Sequence, residues 1–346
     1  MVKLMQKFSC QVPIAAKFLG VIIALILVAY AAGRSTKERP AGSPMQLPDI
    51  QSSNPVLFAP DVVVKTATTT ASVNGYTIEL VRQTSNEDTM NTRLRIFKQS
   101  QVVFEATDGR FTTIAQLSAN EKGEEIKDAS DVADAVRDIT GNGVPELALL
   151  GFSNGAHCCF TIHIIELGDT FSVLLSRPLG DDVKLAFIDV TGDGVMEIQT
   201  TDDAFDYWHT GHAGSPLPQV WLRFDDQKRA YVFAPELMKK PPPTKTVLIT
   251  HADFWKKISW DGSGGNPIPL PAGVSPQLFT TPWGYAVELI YTGNAAAARE
   301  YIDLAWRENK EFASKEIFWN EFKKELQTSR FYGELSPEFI DFSKLP

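Results

Sequence analysis

Hydrophobic and polar residues alternate with a period of two in several short runs of the region 62–235, which is typical of strands that bury one face. The runs 76–81 and 92–97 both alternate. A further apolar run at 102–104 follows the second after a short polar turn, which predicts a hairpin. Further strands are predicted at 159–165 and 171–175, and a second hairpin at 220–224 and 230–233. Short strands separated by turn residues predict a mainly β domain, either propeller-like or a sandwich with duplicated hairpin units.

The spacing of apolar residues becomes helical after the proline run 241–243. A short helix is predicted at 248–258, and the Gly/Pro-rich stretch 262–276 is predicted to be a loop. Three helices are predicted near the C-terminus: one begins at Thr281 and Pro282 and ends at Gly293, one follows Asn294, and one follows Ser314. A small α-helical C-terminal subdomain should therefore follow the β domain.

The N-terminal residues have the pattern of a segment that is exported or inserted into a membrane. Basic residues precede an uncharged, almost wholly apolar run at 18–32, in which Ala29-Tyr30-Ala31 resembles a signal-peptidase site. The run is long for a signal peptide and short for a spanning helix. Residues 1–33 are therefore predicted to be a signal peptide or an N-terminal membrane anchor. Either would place the body outside the cytoplasm, in the periplasm or anchored in the inner membrane.

These patterns divide the chain into successive parts. The leader is followed by a flexible linker at 34–60, which is rich in Pro, Ser and polar residues. A β-rich domain at 61–238, a Pro/Gly-rich connector at 239–280 and the helical subdomain at 281–346 complete the predicted order.

Composition and charge limit the classes of partner. The chain has 346 residues and a formal net charge of −9, and its predicted folded region has no Lys/Arg cluster suited to phosphates. Nucleic acid is therefore not predicted as a partner. An envelope protein or a small ligand is predicted, together with the membrane if the leader is not cleaved.

An acidic turn occurs twice within the predicted β-rich domain. Its copies are Asp138-Ile-Thr-Gly-Asn-Gly-Val-Pro-Glu-Leu147 and Asp189-Val-Thr-Gly-Asp-Gly-Val-Met-Glu-Ile198. The two copies agree at the Asp, Thr, Val and Glu positions and at both glycines, which indicates an internal repeat.

The spacing within each turn suits calcium, which favours oxygen ligands at alternate positions and a carbonyl at the seventh. Gly143 and Gly194 allow the sharp bend that wraps a chain around an ion. The predicted ligands are Asp138, Thr140, Asn142, the Val144 carbonyl and Glu146 in the first turn, and Asp189, Thr191, Asp193, the Val195 carbonyl and Glu197 in the second.

Both turns resemble the loops of FG-GAP and VCBS repeats, the units of integrin-α-type β-propellers. The resemblance covers residues 136–201 and implies a loop that joins two strands of a blade and often holds calcium. Thr140 and Thr191 depart from it, since many calcium-holding copies have Asp or Asn there. Weak calcium binding is therefore predicted, and the more acidic second turn should bind better. The same residues also suit a metal-free turn, because Asp can hydrogen-bond its own backbone.

Histidines and cysteines are concentrated between and after the two turns. One interpretation is a zinc site formed by His157, Cys158, His209 and His212. A second is a cysteine nucleophile paired with His157 or His209. A third is a disulfide between Cys158 and Cys159, which would require a distorted turn because adjacent strand residues point to opposite faces. A fourth is that these side chains serve only packing and hydrogen bonding.

Two classes of function follow from these observations. The first is a non-enzymatic envelope protein, a binding or structural module with one or two weak calcium loops. The alternative is a periplasmic metal-dependent hydrolase that uses the histidine and cysteine cluster. The aromatic, turn-rich segment 206–218 would line a binding surface or close one end of the β domain.

Overall fold

A computed structural model describes residues 64–85, 90–113, 132, 136–181, 184–256, 280–307 and 314–339. The predicted leader and the linker up to residue 60 lie outside these residues. The prediction of a transmembrane helix is corrected for the described residues, in which no helix is long and apolar enough to cross a membrane. A spanning helix needs about 20 apolar residues, whereas the longest described helices have 12 residues.

Three successive antiparallel sheets form the described chain up to residue 233, which confirms a mainly β fold. The first is the meander β1 (Lys65–Val73), β2 (Tyr76–Thr84), β3 (Met90–Lys98) and β4 (Gln101–Asp108). The second contains β5 (Arg110–Thr113), β6 (Val136–Arg137), β7 (Glu146–Phe152), β8 (Phe160–Leu167) and β9 (Phe171–Gly180), and β5 and β6 both pair with β7. The third is the meander β10 (Ala186–Ile188), β11 (Glu197–Thr201), β12 (Gln219–Asp225) and β13 (Ala230–Phe233).

The helices follow the last strand, as predicted. They are α1 (Pro235–Met238), α2 (Lys245–Lys256), α3 (Gly284–Tyr291), α4 (Ala295–Ala305), α5 (Lys315–Leu326) and α6 (Tyr332–Phe339). Ser314 caps α5, where its hydroxyl oxygen accepts a hydrogen bond from the Ile317 N–H at 3.3 Å. This bond satisfies one of the backbone donors that a helix leaves unpaired at its start.

The second sheet is buried on both faces. Leu147 and Leu149 on one face of β7 belong to the core shared with the first sheet. Ala148 and Leu150 on the other face belong to the core that also contains the third sheet and the helices. The second sheet therefore lies between two hydrophobic cores.

Candidate functional site

The two acidic turns occupy the same place in consecutive sheets. The first joins β6 to β7, and the second joins β10 to β11. The turns lie side by side, because the Met196 N–H donates to the Ile139 carbonyl at 2.9 Å. Gly141 of the first turn also packs closely on the Gly194 carbonyl of the second. The repeat therefore forms a paired structure rather than two separate loops.

In the first turn the predicted ligand groups bind one another and the backbone. The Asp138 carboxylate accepts the Gly143 N–H at 2.8 Å. The buried Glu146 carboxylate accepts the Ile139 N–H at 2.8 Å and the Thr140 hydroxyl at 2.9 Å. Burial raises the pKa of Glu146 to about 7, although these two hydrogen bonds oppose the rise. The carboxylates of this turn are thus hydrogen-bonded within the turn itself.

The second turn is held in the same way, with an additional cation. The Asp189 carboxylate accepts the N–H groups of Gly192 at 2.6 Å and Gly194 at 3.0 Å. Arg223 of β12 contacts the Asp193 carboxylate at 2.6 Å and the Glu197 carboxylate at 3.3 Å. Hydrogen bonding by the Val195 N–H is the largest cause that lowers the pKa of Asp193, and Arg223 adds to it. A calcium ion at this turn would compete with the guanidinium for both carboxylates.

The pairing of the turns predicts unequal costs for equivalent glycine substitutions. Gly141 and Gly192 hold the same place in the repeat, at φ of +69° and +72°. Alanine at positive φ lowers the free energy of unfolding by about 1–2 kcal/mol. At Gly192 an added Cβ meets nothing within 4 Å, so this backbone cost should be the main effect of Gly192→Ala. At Gly141 the Cβ would lie 2.9 Å from the Gly194 carbonyl oxygen. Gly141→Ala should therefore lower the free energy of unfolding by at least about 1 kcal/mol more than Gly192→Ala does, as measured by chemical denaturation. Equal losses for the two variants would contradict the pairing of the turns.

A second constellation lies between the loop that connects β7 to β8 and the loop that follows β11. The rings of His157 and His212 stack with their centroids 4.3 Å apart, and the Tyr207 ring stacks on His212 at 5.5 Å. His157 is exposed, and 58% of Tyr207 is accessible to solvent. We call these three residues the histidine platform.

Two carboxylates adjoin the platform. His212 Nδ1 lies 2.9 Å from an Asp206 carboxylate oxygen. Asp181, which follows β9, contributes a third group, and one ligand atom from each side chain lies within 4.8 Å of the other two. Among the described residues this is the one group of three or more His, Cys, Asp or Glu side chains that meets this criterion. We call Asp181, Asp206 and His212 the Asp–His cluster.

Asp203 holds the main chain on both sides of the Asp–His cluster. Its carboxylate accepts the Asp181 N–H at 2.9 Å, and its carbonyl accepts the Asp206 N–H at 2.9 Å. Arg330, which lies between α5 and α6, donates to the same carboxylate at 3.1 and 3.3 Å. The cluster is therefore positioned by contacts that reach into the helical part of the chain.

The loop that carries His212 has an unusual backbone and a buried base. Tyr207 and His209 have positive φ values of 57° and 48°, which cost energy in residues other than glycine. Phe205 and Trp208 are buried, and the Trp208 ring makes edge-to-face contact with Trp283 at 5.2 Å. This packing holds the strained turn and presents Tyr207 to solvent.

Cys158 and Cys159 form a disulfide in the loop between β7 and β8. The Ser153 hydroxyl accepts the Cys159 N–H at 2.7 Å and donates to the Cys158 carbonyl at 2.8 Å. The disulfide interpretation agrees with this geometry, because the pair lies in a turn before β8 begins. A bonded Cys158 carries no thiolate for zinc or for nucleophilic attack.

His209 of the predicted cluster and His163, which was not part of it, have other neighbours. His209 approaches Glu321 of α5 at 3.6 Å and packs on Trp208. His163 is buried beneath the first sheet against Phe104, and burial lowers its pKa to about 4. Of the predicted set His157, Cys158, His209 and His212, the rings of His157 and His212 are the pair that the structure stacks together.

Three members of the site, Asp181, Asp206 and Tyr207, were not predicted as site residues from the sequence. Tyr207 lies inside the segment expected to form a binding surface, so its aromatic character was a usable signal. Asp181 had none, because an acidic residue after a strand is ordinary at a protein surface. Comparisons with protein-family models, curated proteins and solved structures find no match. The resemblance to FG-GAP and VCBS repeats therefore stays a prediction.

Proposed function

We propose that this chain is a non-enzymatic binding module, in which paired acidic turns stiffen a repeated β framework and the histidine platform contacts the ligand. The observation that carries the proposal is the stack of His157, His212 and the largely exposed Tyr207. Residues with strained backbone conformations cluster at sites that contact ligands, and Tyr207, at a φ of 57°, places a large aromatic ring in solvent.

We also propose that the two repeated units are related to FG-GAP and VCBS repeats. The units β6–β9 and β10–β13 are both antiparallel runs of four strands with the acidic turn between the first and second strands. This arrangement supports blade-like units of the FG-GAP and VCBS kind. Six identities in the turns add to that support.

The contacts of the predicted catalytic groups favour binding over hydrolysis. Cys158 is bonded to Cys159, and His209 faces Glu321 rather than His157. A nucleophile–base pair within hydrogen-bond reach, which covalent catalysis requires, is thus not formed by these residues in the described structure.

A titration with chemically different probes tests the proposal. Zn²⁺, an arginine-containing peptide and an oligosaccharide are each added while the imidazole NMR signals are recorded. At least one probe should shift the signals of His157 and His212, while those of the buried His163 and His251 stay unchanged. Hydrolysis of ester, phosphoester or peptide substrates that disappears in His157→Ala or His212→Ala protein would overturn the proposal.

We also propose weak calcium binding at the acidic turns, better at the second. At about 10 mM calcium, ten times the weakest Kd usual for extracellular modules, binding should stabilise the fold by about 1.4 kcal/mol. The rise in melting temperature should be smaller in Asp193→Ala protein and unchanged in Asp226→Ala, where the carboxylate lies on an exposed hairpin turn. A rise that Asp193→Ala does not reduce would place the ion elsewhere.

A further inference from the structure

We propose that Asp181, Asp206 and His212 bind one divalent transition-metal ion of the zinc type, which would be the ligand of the site beside the histidine platform. This inference rests on the proposed binding function and names its ligand. It differs from the sequence-predicted zinc set, with which it shares His212 alone.

The spacing of the three groups suits one ion. Their ligand atoms lie within 4.8 Å of one another, and two ligands of a tetrahedral zinc ion, each about 2.1 Å from it, lie about 3.4 Å apart. The 2.9 Å contact between His212 Nδ1 and Asp206 would open slightly as an ion replaces the shared proton. Adjustments of this size are within reach of side-chain torsions, without movement of a strand.

The ligand types select the class of ion. One imidazole nitrogen and two carboxylates suit zinc and its neighbours in the first transition row. Calcium prefers six to eight oxygen ligands, and the cluster supplies an imidazole and too few oxygens for it. Three protein ligands leave a fourth position for water, for a donor of the partner, or for His157, whose ring stacks 4.3 Å from that of His212.

The surroundings prepare the ligands for binding. The Asp206 side chain is 9% exposed and the His212 side chain 17%, so an ion can enter from solvent and yet be largely enclosed. Asp203 fixes the main chain at both Asp181 and Asp206, and Arg330 in turn holds Asp203. Hydrogen-bonded neighbours of this kind usually change metal affinity by about 10–100-fold. Asp203 would thus be a positioning residue for the site.

The test uses the full-length chain, freed of metal by chelation and dialysis, and Co²⁺ as a spectroscopic probe with Zn²⁺ as competitor. Wild-type protein should bind one Co²⁺ with visible absorption bands of a nitrogen–oxygen site, and Zn²⁺ should displace it. His212→Gln, Asp206→Asn and Asp181→Asn should each weaken binding more than tenfold. Asp203→Ala, which removes the side-chain acceptor of the Asp181 N–H, should weaken it by about 10–100-fold, and Asp203→Asn, which keeps an acceptor oxygen, should weaken it less.

His209→Gln is the matched control, because His209 lies in the same loop but faces Glu321. It should bind Co²⁺ like the wild type, and circular dichroism verifies that each variant is folded. Absence of Co²⁺ and Zn²⁺ binding in folded wild-type protein would overturn the inference, as would equal losses in His209→Gln and His212→Gln. If another probe shifts the platform histidines while metal does not, the metal inference fails alone. Turnover that depends on His212 would instead overturn the proposed function.

Discussion

Asp202→Ala is expected to lower the free energy of unfolding by about 3–5 kcal/mol, because it removes the centre of a buried polar network. Asp202 is fully buried, and its carboxylate accepts hydrogen bonds from the Tyr291 hydroxyl at 2.6 Å and from the Ser329 hydroxyl. Its other oxygen accepts the Ala204 N–H at 3.1 Å. The substitution would leave these donors without their acceptor in a region that water does not reach, and would add a cavity.

Thermal and chemical denaturation measure this effect, with Tyr291→Phe as the companion variant. A loss of this size should lower the melting temperature by roughly 10 °C. Tyr291→Phe keeps the carboxylate and two of its donors, so it should cost about 1–2 kcal/mol. The double variant should be less destabilised than the sum of the two, because both changes remove the same hydrogen bond. A cost below about 1 kcal/mol for Asp202→Ala would show that the network does not stabilise the fold, and simple additivity would show that Asp202 and Tyr291 are not coupled.

The hydrogen-bond network around Asp202 also connects the β part of the chain to the helices. Asp202 follows β11, whereas Tyr291 ends α3 and Ser329 follows α5. The next residue, Asp203, fixes the main chain around the Asp–His cluster. The loop that presents Tyr207 and His212 is therefore anchored in the helical part, and its loss of order should accompany loss of the network.

Alternating burial is the signal that made β2 predictable. Tyr76, Ile78 and Leu80 of β2 are buried while the residues between them are more exposed, so the period of two is visible. β7 lacks that signal because both of its faces are buried, and its sequence reads as a continuous apolar run. The Thr-rich β1 lacks it for the opposite reason, since neither of its faces is well buried.

The site was less predictable than the fold, because it depends on contacts between distant loops. His157 and His212 meet only because the loop between β7 and β8 lies against the loop after β11. His209 and His212 were predicted as two ligands of one metal ion, and residues three apart do lie on the same side of a helix. In a turn with positive φ at His209 the two rings point to different neighbours.

Glu146→Gln should remove a pH dependence of stability that the wild-type protein shows between about 4.5 and 7. Burial raises the pKa of Glu146 from an ordinary 4.5 to about 7. Within that window the folded state binds more protons than the unfolded state, so the wild-type protein loses stability as the pH rises. We expect a loss of about 2 kcal/mol, less than the full shift implies, because the exposed loop nearby lets solvent screen part of the burial cost. Urea denaturation at a series of pH values measures it.

The difference between the stability of Glu146→Gln protein and that of the wild type at each pH isolates the contribution of Glu146 from those of other groups that titrate in the same range. The pKa of Asp108 is raised by burial to about 6 and adds a loss of the same sign, whereas His163, with its pKa lowered to about 4, adds a gain. Both contributions should cancel between variant and wild type, since the substitution lies outside their hydrogen bonds. The difference in stability should therefore grow in favour of Glu146→Gln as the pH rises from 4.5 to 7. A flat difference would show that the Glu146 carboxyl titrates normally.

Replacement of the equivalent residue of the second turn, Glu197, by glutamine should change the stability of the fold in the opposite direction. Glu197 is also fully buried, but its carboxylate lies 3.3 Å from the Arg223 guanidinium, whereas Glu146 contacts a hydroxyl and a backbone N–H. At pH 8, Glu146→Gln relieves a buried charge and should stabilise the fold relative to its effect at low pH. Glu197→Gln removes the negative charge that faces Arg223 and should destabilise the fold, by less than about 1 kcal/mol because the Arg223 side chain is 34% exposed and keeps its contact with Asp193. Stability changes of opposite sign at these two equivalent positions would show that the effect of the glutamate depends on the residues that contact each turn, and not on the sequence of the turn alone.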